Sequence, residues 1–106
     1  MVGDGKQARI SAMRELTLAD RVVIPDAVVS RELEGETVVL NLETGIYFGL
    51  DEVATEMWKA LQSAASLQDA CEALRGAYEV DPAVLRDDLV RLVNEMAAKG
   101  LVEAAP

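Results

Sequence analysis

The 106-residue sequence predicts an α+β fold, a three-stranded antiparallel sheet followed by three helices. Three observations carry that reading. Residues 28–50 hold three short apolar runs, separated by Gly35 and by "ETG" at 43–45, which is the punctuation of a meander. From Asp51 onward the apolar spacing changes to i, i+3, i+4, i+7, the period of a helix with one buried face. Finally, Asp81-Pro82 and Lys99-Gly100 supply start and stop signals for a long last helix. A chain of this length forms one domain.

Taken in order, residues 1–16 show no clear period and are expected to form a flexible tail, with residues 17–106 as the folded domain. "LTLADRVVIPDAVVSREL" follows, and its Pro25 forbids a helix or a central strand. The segment therefore reads as an extended arm leading into a strand near Val28–Leu33. Gly35 turns the chain into "TVVLNL", where Val38, Leu40 and Leu42 alternate with Val39 and Asn41. In "LETGI", a two-residue loop would force β-branched Thr44 to positive φ. A three-residue loop, Glu43 to Gly45, instead gives Gly45 the left-handed position of a G1 bulge. That register sets Leu42 opposite Ile46 and groups Val38, Leu40 and Leu42 with Ile46, Phe48 and Leu50 on the inner face. Tyr47 then points outward. Strand 46–50 becomes an edge of the sheet unless the N-terminal arm covers it.

The first helix runs over about 51–62 on the stripe Ala54, Met57, Trp58 and Leu61. Ser66-Leu67-Gln68-Asp69 opens a second helix, whose inner residues are Leu67, Ala70, Cys71 and Leu74. The third, helix 82–99, starts from an Asp81 N-cap with Pro82 in its first position and ends at Gly100. Its core stripe is Leu85, Leu89, Leu92, Val93 and Met96, and Leu101-Val102 leaves extended. The core expected from these patterns includes Val38, Leu40, Phe48, Trp58, Leu85, Leu89 and Leu92.

Composition narrows the chemistry. There is no histidine and a single cysteine, Cys71, so neither a thiolate–imidazole pair nor an internal disulfide can form. One buried cysteine fits a small hydrophobe in a protein of the reducing cytoplasm. The acid pairs Asp51-Glu52, Asp87-Asp88 and Glu34/Glu36 do not converge on one proton and lack calcium-loop spacing. No glycine motif cradles a phosphate. Neither an enzyme nor a bound metal or cofactor is expected. The first sixteen residues have no signal-like apolar run, and no segment is long and apolar enough to span a bilayer. Net charge is −9, from 19 acidic and 10 basic residues. Residues 1–27 are neutral, with four of each sign, so the deficit lies in the rest of the chain. Such a surface repels nucleic acid and anionic membrane and attracts basic partners, although it serves solubility equally well.

One feature points to binding. An exposed edge strand offers unpaired N–H and C=O groups, usually blunted by proline, lysine or a bulge. "GIYFGL" carries no such defence beyond its turn. On the third helix, Val84, Asp88, Arg91 and Glu95 fall on a second line beside the core stripe. They form either a solvated face with an Asp88–Arg91 pair or the polar wall of a groove against strand 46–50. A peptide laid there would gain ladder hydrogen bonds and side-chain pockets.

The hairpin "GETVVLNLETGIYFGLDEVATEMWKAL" and the closing "DPAVLRDDLVRLVNEMAAKGLVE" resemble the PqqD-like family, the small peptide-binding domains called RiPP recognition elements. The resemblance covers about Val28 to Val102. It implies a winged-helix-like fold and a non-catalytic adaptor for residues 17–106. The adaptor would capture the leader segment of a ribosomally synthesised precursor peptide and present it to a modifying enzyme or leader peptidase. By resemblance the leader pairs with the third strand and lies against the third helix. Its contacts would be Ile46, Tyr47, Phe48 and Gly49 on the strand, and Val84, Leu85, Asp88, Arg91, Leu92 and Glu95 on the helix. "YFGLDEV" and the Pro25 arm look most similar to members that serve lasso peptide pathways. A winged-helix DNA-binding regulator is the alternative, but its reading helix would carry no basic excess (Arg86, Arg91 and Lys99 against Asp87, Asp88 and Glu95). A homodimer formed by self-pairing of the edge strand is a third reading.

Overall fold

The computed structural model describes residues 16–77 and 80–105. The expected tail, 1–16, lies outside the described residues except for Leu16, which is buried. Among the described residues five strands and three helices follow in order: β1 (Val22–Val23), β2 (Val28–Leu33), β3 (Glu36–Asn41), β4 (Tyr47–Leu50), α1 (Glu52–Ser63), α2 (Leu67–Arg75), α3 (Pro82–Ala98) and β5 (Glu103–Ala104). Strands β2, β3 and β4 form an antiparallel sheet in sequence order, as the apolar runs predict. The short β1 and β5 pair antiparallel in a separate ribbon that no sequence pattern announced.

The helices form where their caps say. Asp51, Ser66 and Asp81 each turn a side-chain oxygen onto an N–H of the helix they open: Ala54, Asp69 and Ala83 respectively. Gly100 takes φ +75° just past Lys99 and closes α3. The buried stripes are Met57, Trp58 and Leu61 on α1, where the expected Ala54 is only half-buried, and, as expected, Leu67, Ala70, Cys71 and Leu74 on α2 and Leu85, Leu89, Leu92, Val93 and Met96 on α3. Trp58 keeps its indole N–H satisfied by Ser30 Oγ at 3.2 Å, which ties α1 to β2. Thr55, fully buried, sets its Oγ1 3.4 Å from the carbonyl of Leu50 at the strand–helix junction.

The register of the β3–β4 hairpin differs from the expected one by a single residue. The loop has four residues, Leu42 to Gly45, and Asn41, not Leu42, stands opposite Ile46 through an N–H···O bond of 2.9 Å. Because side chains alternate, the slip reverses the whole of β3. Thr37, Val39 and Asn41 face the helices, with Val39 fully buried. Val38 is 51% exposed and Leu42 63%, while Leu40 is half-buried. The expected inner set of Val38, Leu40 and Leu42, and the place of Val38 and Leu40 in the core, are therefore corrected. The parity of β4 is as expected: Leu50 is buried, Phe48 packs against the core, and Tyr47 is 70% exposed. Ile46, at the loop end, is exposed rather than inward.

Asn41 supplies the physical reason. Its Oδ1 accepts the N–H groups of Glu43 at 2.8 Å and Thr44 at 3.2 Å, and its Nδ2 donates to the Gly100 carbonyl at 2.9 Å. An Asx-type turn needs its Asn just before the loop. Satisfying the amide lets this polar residue lie inside while Leu42 goes to solvent. Gly45 takes φ +76°, the left-handed conformation assigned to it. The β2–β3 turn uses Glu34 at φ 55° and Gly35 at φ 85°, both positive as a type I′ turn requires.

Residues 16–27 run along the helices and away from β4. Leu16 N–H donates to Asn94 Oδ1 at 2.8 Å, and Asn94 Nδ2 donates back to the Leu16 carbonyl at 3.2 Å. Leu67 and Gln68 N–H groups reach the carbonyls of Asp20 and Leu18, both at 3.1 Å, and Ala105 N–H reaches Arg21 at 2.8 Å. Among the described residues no helix is long and apolar enough to cross a membrane.

Candidate functional site

Strand β4 pairs with β3 on one side and, among the described residues, with nothing on the other. The Asn41–Ile46 bond fixes which groups face outward. In an antiparallel ladder, bonded and non-bonded pairs alternate. Counting from Asn41–Ile46, Val39–Phe48 and Thr37–Leu50 are bonded pairs, so Phe48 and Leu50 direct their backbone groups at β3. Tyr47 and Gly49 direct theirs into the open edge: two N–H donors and two carbonyl acceptors, spaced for another strand. A Cβ placed on Gly49 would meet nothing within 4 Å, so its small size leaves open space on the outer face.

Beyond this edge lies α3. Lys99 places Nζ 5.5 Å from the centroid of the Phe48 ring, so the C-terminal end of α3 stands beside the start of β4. At the other end, where β4 passes into α1, a cleft of about 420 Å³ opens between the two helices. Ala54, Met57 and Leu92 give it an apolar floor, and Asp51, Asp88, Arg91 and Glu95 give it a charged rim. Arg91 pairs with Asp88 at 3.3 Å. The pair is solvent-exposed, so it orients the two side chains more than it stabilises the fold.

Four of the expected helix residues, Asp88, Arg91, Leu92 and Glu95, thus share one cleft. Leu85 does not join them; it is buried in the core, a turn below. Val84 is exposed and lies outside the cleft lining. On the strand, Tyr47 and Gly49 offer backbone at the edge, and the half-buried Phe48 packs against the core with its ring under Lys99; none of the three lines the cleft. Tyr47's own side chain lies on the other face of the sheet, in a row with Leu40 and Val29. Sequence patterns missed the contribution of α1, namely Asp51, Val53, Ala54 and Met57, together with Lys99. A signal did exist. No loop intervenes between β4 and the Asp51 cap, so the first turn of α1 has to border the strand's end.

A larger hollow of about 870 Å³ lies on the adjoining face of α3, between Leu16–Ala19 and Arg86, Val90 and Asn94, with Arg91 and Glu95 lining both it and the cleft. It has no open strand beside it, and its wall is formed by the first described residues. Among the described residues no group of three His, Cys, Asp or Glu side chains is placed to hold a metal ion. No buried side-chain nitrogen or oxygen among them lacks a hydrogen-bond partner.

The family model for PqqD, coenzyme PQQ synthesis protein D, matches residues 36–102. A search of curated proteins finds no match. Among solved structures, the chain is similar to one described as TbiB1 in complex with the TbiA(beta) leader peptide. The two are 36% identical with a TM-score of 0.71, and the match covers 78% of this chain and 96% of that one. The chain belongs to the PqqD family, as a PqqD-like RiPP recognition element.

Proposed function

We propose that this protein is a non-catalytic adaptor that binds the leader segment of a ribosomally synthesised precursor peptide. The leader would add as a strand to β4 and lie against α3. The observation that carries this reading is the open edge: the outward backbone groups of Tyr47 and Gly49 are left for another strand, and a cleft with an apolar floor and a charged rim opens between α1 and α3 just past the end of β4. Strand addition supplies affinity through the ladder and specificity through alternate side chains. The leader-peptide complex of TbiB1, at 36% identity, supports the same partner class. The bound leader would be handed to a separate modifying enzyme or leader peptidase. We assign the pathway to the lasso-peptide type on the "YFGLDEV" tail of the hairpin.

The DNA-reader alternative gains no support. On α3, Arg86 is paired with Asp87 and Arg91 with Asp88, each at 3.3 Å, so their charge is offset locally. Groove readers need that charge free for phosphate.

The test is a titration of the TbiA(beta) leader peptide into isotope-labelled protein, followed by amide shifts. Binding is expected to move Tyr47–Leu50 and the Asp88–Glu95 face of α3 together. Shifts confined to β2 or to α2 would overturn the assignment of the edge.

A further inference from the structure

We propose that Gly49 opens a side-chain subsite on the outer face of the sheet, away from the helices. The subsite takes one large apolar side chain, best a flat ring, from the peptide strand added to β4. This rests on the reading of β4 as the peptide-binding edge.

A glycine within a strand weakens it, and often marks a bulge, a tight bend or a place where another chain comes close. The first two do not apply to Gly49. The β3–β4 register passes through it unbroken, with Val38 opposite, and its φ lies outside the left-handed region. The space above it remains as the reason. A hollow of about 650 Å³ lies there, and its lining includes β4 itself, at Gly49 and Leu50. Beyond Gly49 the hollow is floored by Val38 and walled by Leu33, which are 51% and 72% exposed. Both are apolar surface left uncovered on the outer face.

The ladder decides which peptide residue reaches this space. Gly49 turns its backbone groups outward, so an antiparallel peptide forms a bonded pair with it, and the two residues share one face of the sheet. The paired side chain meets no side chain at Gly49, and the next one in its row is Val38. From the peptide Cα to that of Val38 is about 10 Å, the sum of a bonded and a non-bonded spacing. A short side chain leaves the gap open, and a long flat one covers the glycine and reaches the valine. Arg31, opposite Val38, ends the row with a guanidinium, a favourable neighbour for a ring face. The carboxylates of the lining stand off this row: Glu34 in the β2–β3 turn, Glu36 two residues from Val38, and Asp51 bound to the Ala54 N–H. Their excess over Arg31 opposes an acidic side chain here.

The experiment is a selection of random nine-residue phage-displayed peptides on the full chain. Peptides that shift the amides of Tyr47–Leu50 are synthesised, and the residue paired with Gly49 is identified by its amide–amide Overhauser contact. That residue is expected to be Phe, Tyr, Trp, Leu or Met, and a ring there should move the Val38 methyl protons upfield. Replacing it by Ala should weaken binding about tenfold, the worth of burying one such side chain. On Gly49→Gln, its fold checked by circular dichroism, the added side chain fills the gap and the ratio of the two affinities should fall to about one. Peptides that shift β4 but accept any side chain at this residue, or enrich Lys or Arg there, overturn the subsite and leave the edge standing. So do Val38 methyls that a bound ring leaves unmoved, or an unchanged affinity ratio on Gly49→Gln. A library yielding no peptide that shifts β4 overturns the peptide site and the subsite with it.

Discussion

Asn41 binds the amides of Glu43 and Thr44 and the carbonyl of Gly100 from a side chain only 6% exposed. It links the hairpin loop to the end of α3, and so holds the two walls of the groove in fixed relation. Asn41→Ala leaves the Gly100 carbonyl part-buried without its donor and frees the loop. The expected loss is about 1–3 kcal/mol, read from the denaturant midpoint. The neighbouring valines test the register itself. Val39→Ala empties a fully buried site and should cost about 2 kcal/mol, whereas Val38→Ala on the outer face should stay within about 0.5 kcal/mol. The reverse ranking would restore the three-residue loop. The slip was not legible because "TVVLNL" is apolar on both parities, Val38-Leu40-Leu42 against Val39 alone. Counting apolar residues favours the first set. What decides it is that Asn41 can be satisfied inside, a fact about partners 59 residues away that periodicity does not contain.

Strand β4 belongs to the next scale, where the free edge can be tested without touching the core. Gly49 directs its N–H outward, so Gly49→Pro removes no bond of the β3–β4 ladder, and proline is accepted on edge strands. The pyrrolidine ring replaces a donor that an added peptide needs. Gly49→Pro is therefore expected to keep the circular dichroism and unfolding midpoint close to wild type while abolishing leader-peptide affinity in calorimetry. Retained affinity would mean that the peptide does not use this edge. At this scale most of the protein was legible. Three helices with three capped starts, the glycine stop of α3 and the order of the sheet strands are local patterns, each set by a few adjacent residues. The β1–β5 ribbon was not, because two-residue strands carry no period and their pairing spans the whole chain. The helix wall was half legible. Periodicity put Leu85 on the core stripe and Asp88 on the polar line, but only packing against α1 tells that Leu85 and Val84 fall outside the cleft that Asp88, Arg91, Leu92 and Glu95 share.

At the scale of the molecule, α3 acts as a partition. One side carries the arm, with Asn94 clasping Leu16; the adjoining one carries Asp88, Leu92 and the cleft past the end of β4, and Arg91 and Glu95 stand on the ridge between them. The net charge of −9 surrounds both and opposes pairing of two β4 edges across a two-fold axis, since each copy would meet its own sign. The partition makes a separable prediction. Asn94→Ala removes both bonds to Leu16 and the one to the Val90 carbonyl, and should cost about 1–3 kcal/mol of stability by loosening the arm. Peptide affinity, measured by calorimetry well below the unfolding midpoint, should nevertheless match wild type, because Asn94 lines the arm-side hollow and not the cleft or the edge of β4. If affinity instead falls in step with stability, the arm and the groove are coupled through α3. Its rotation, more than the open edge, would then set how the peptide is held.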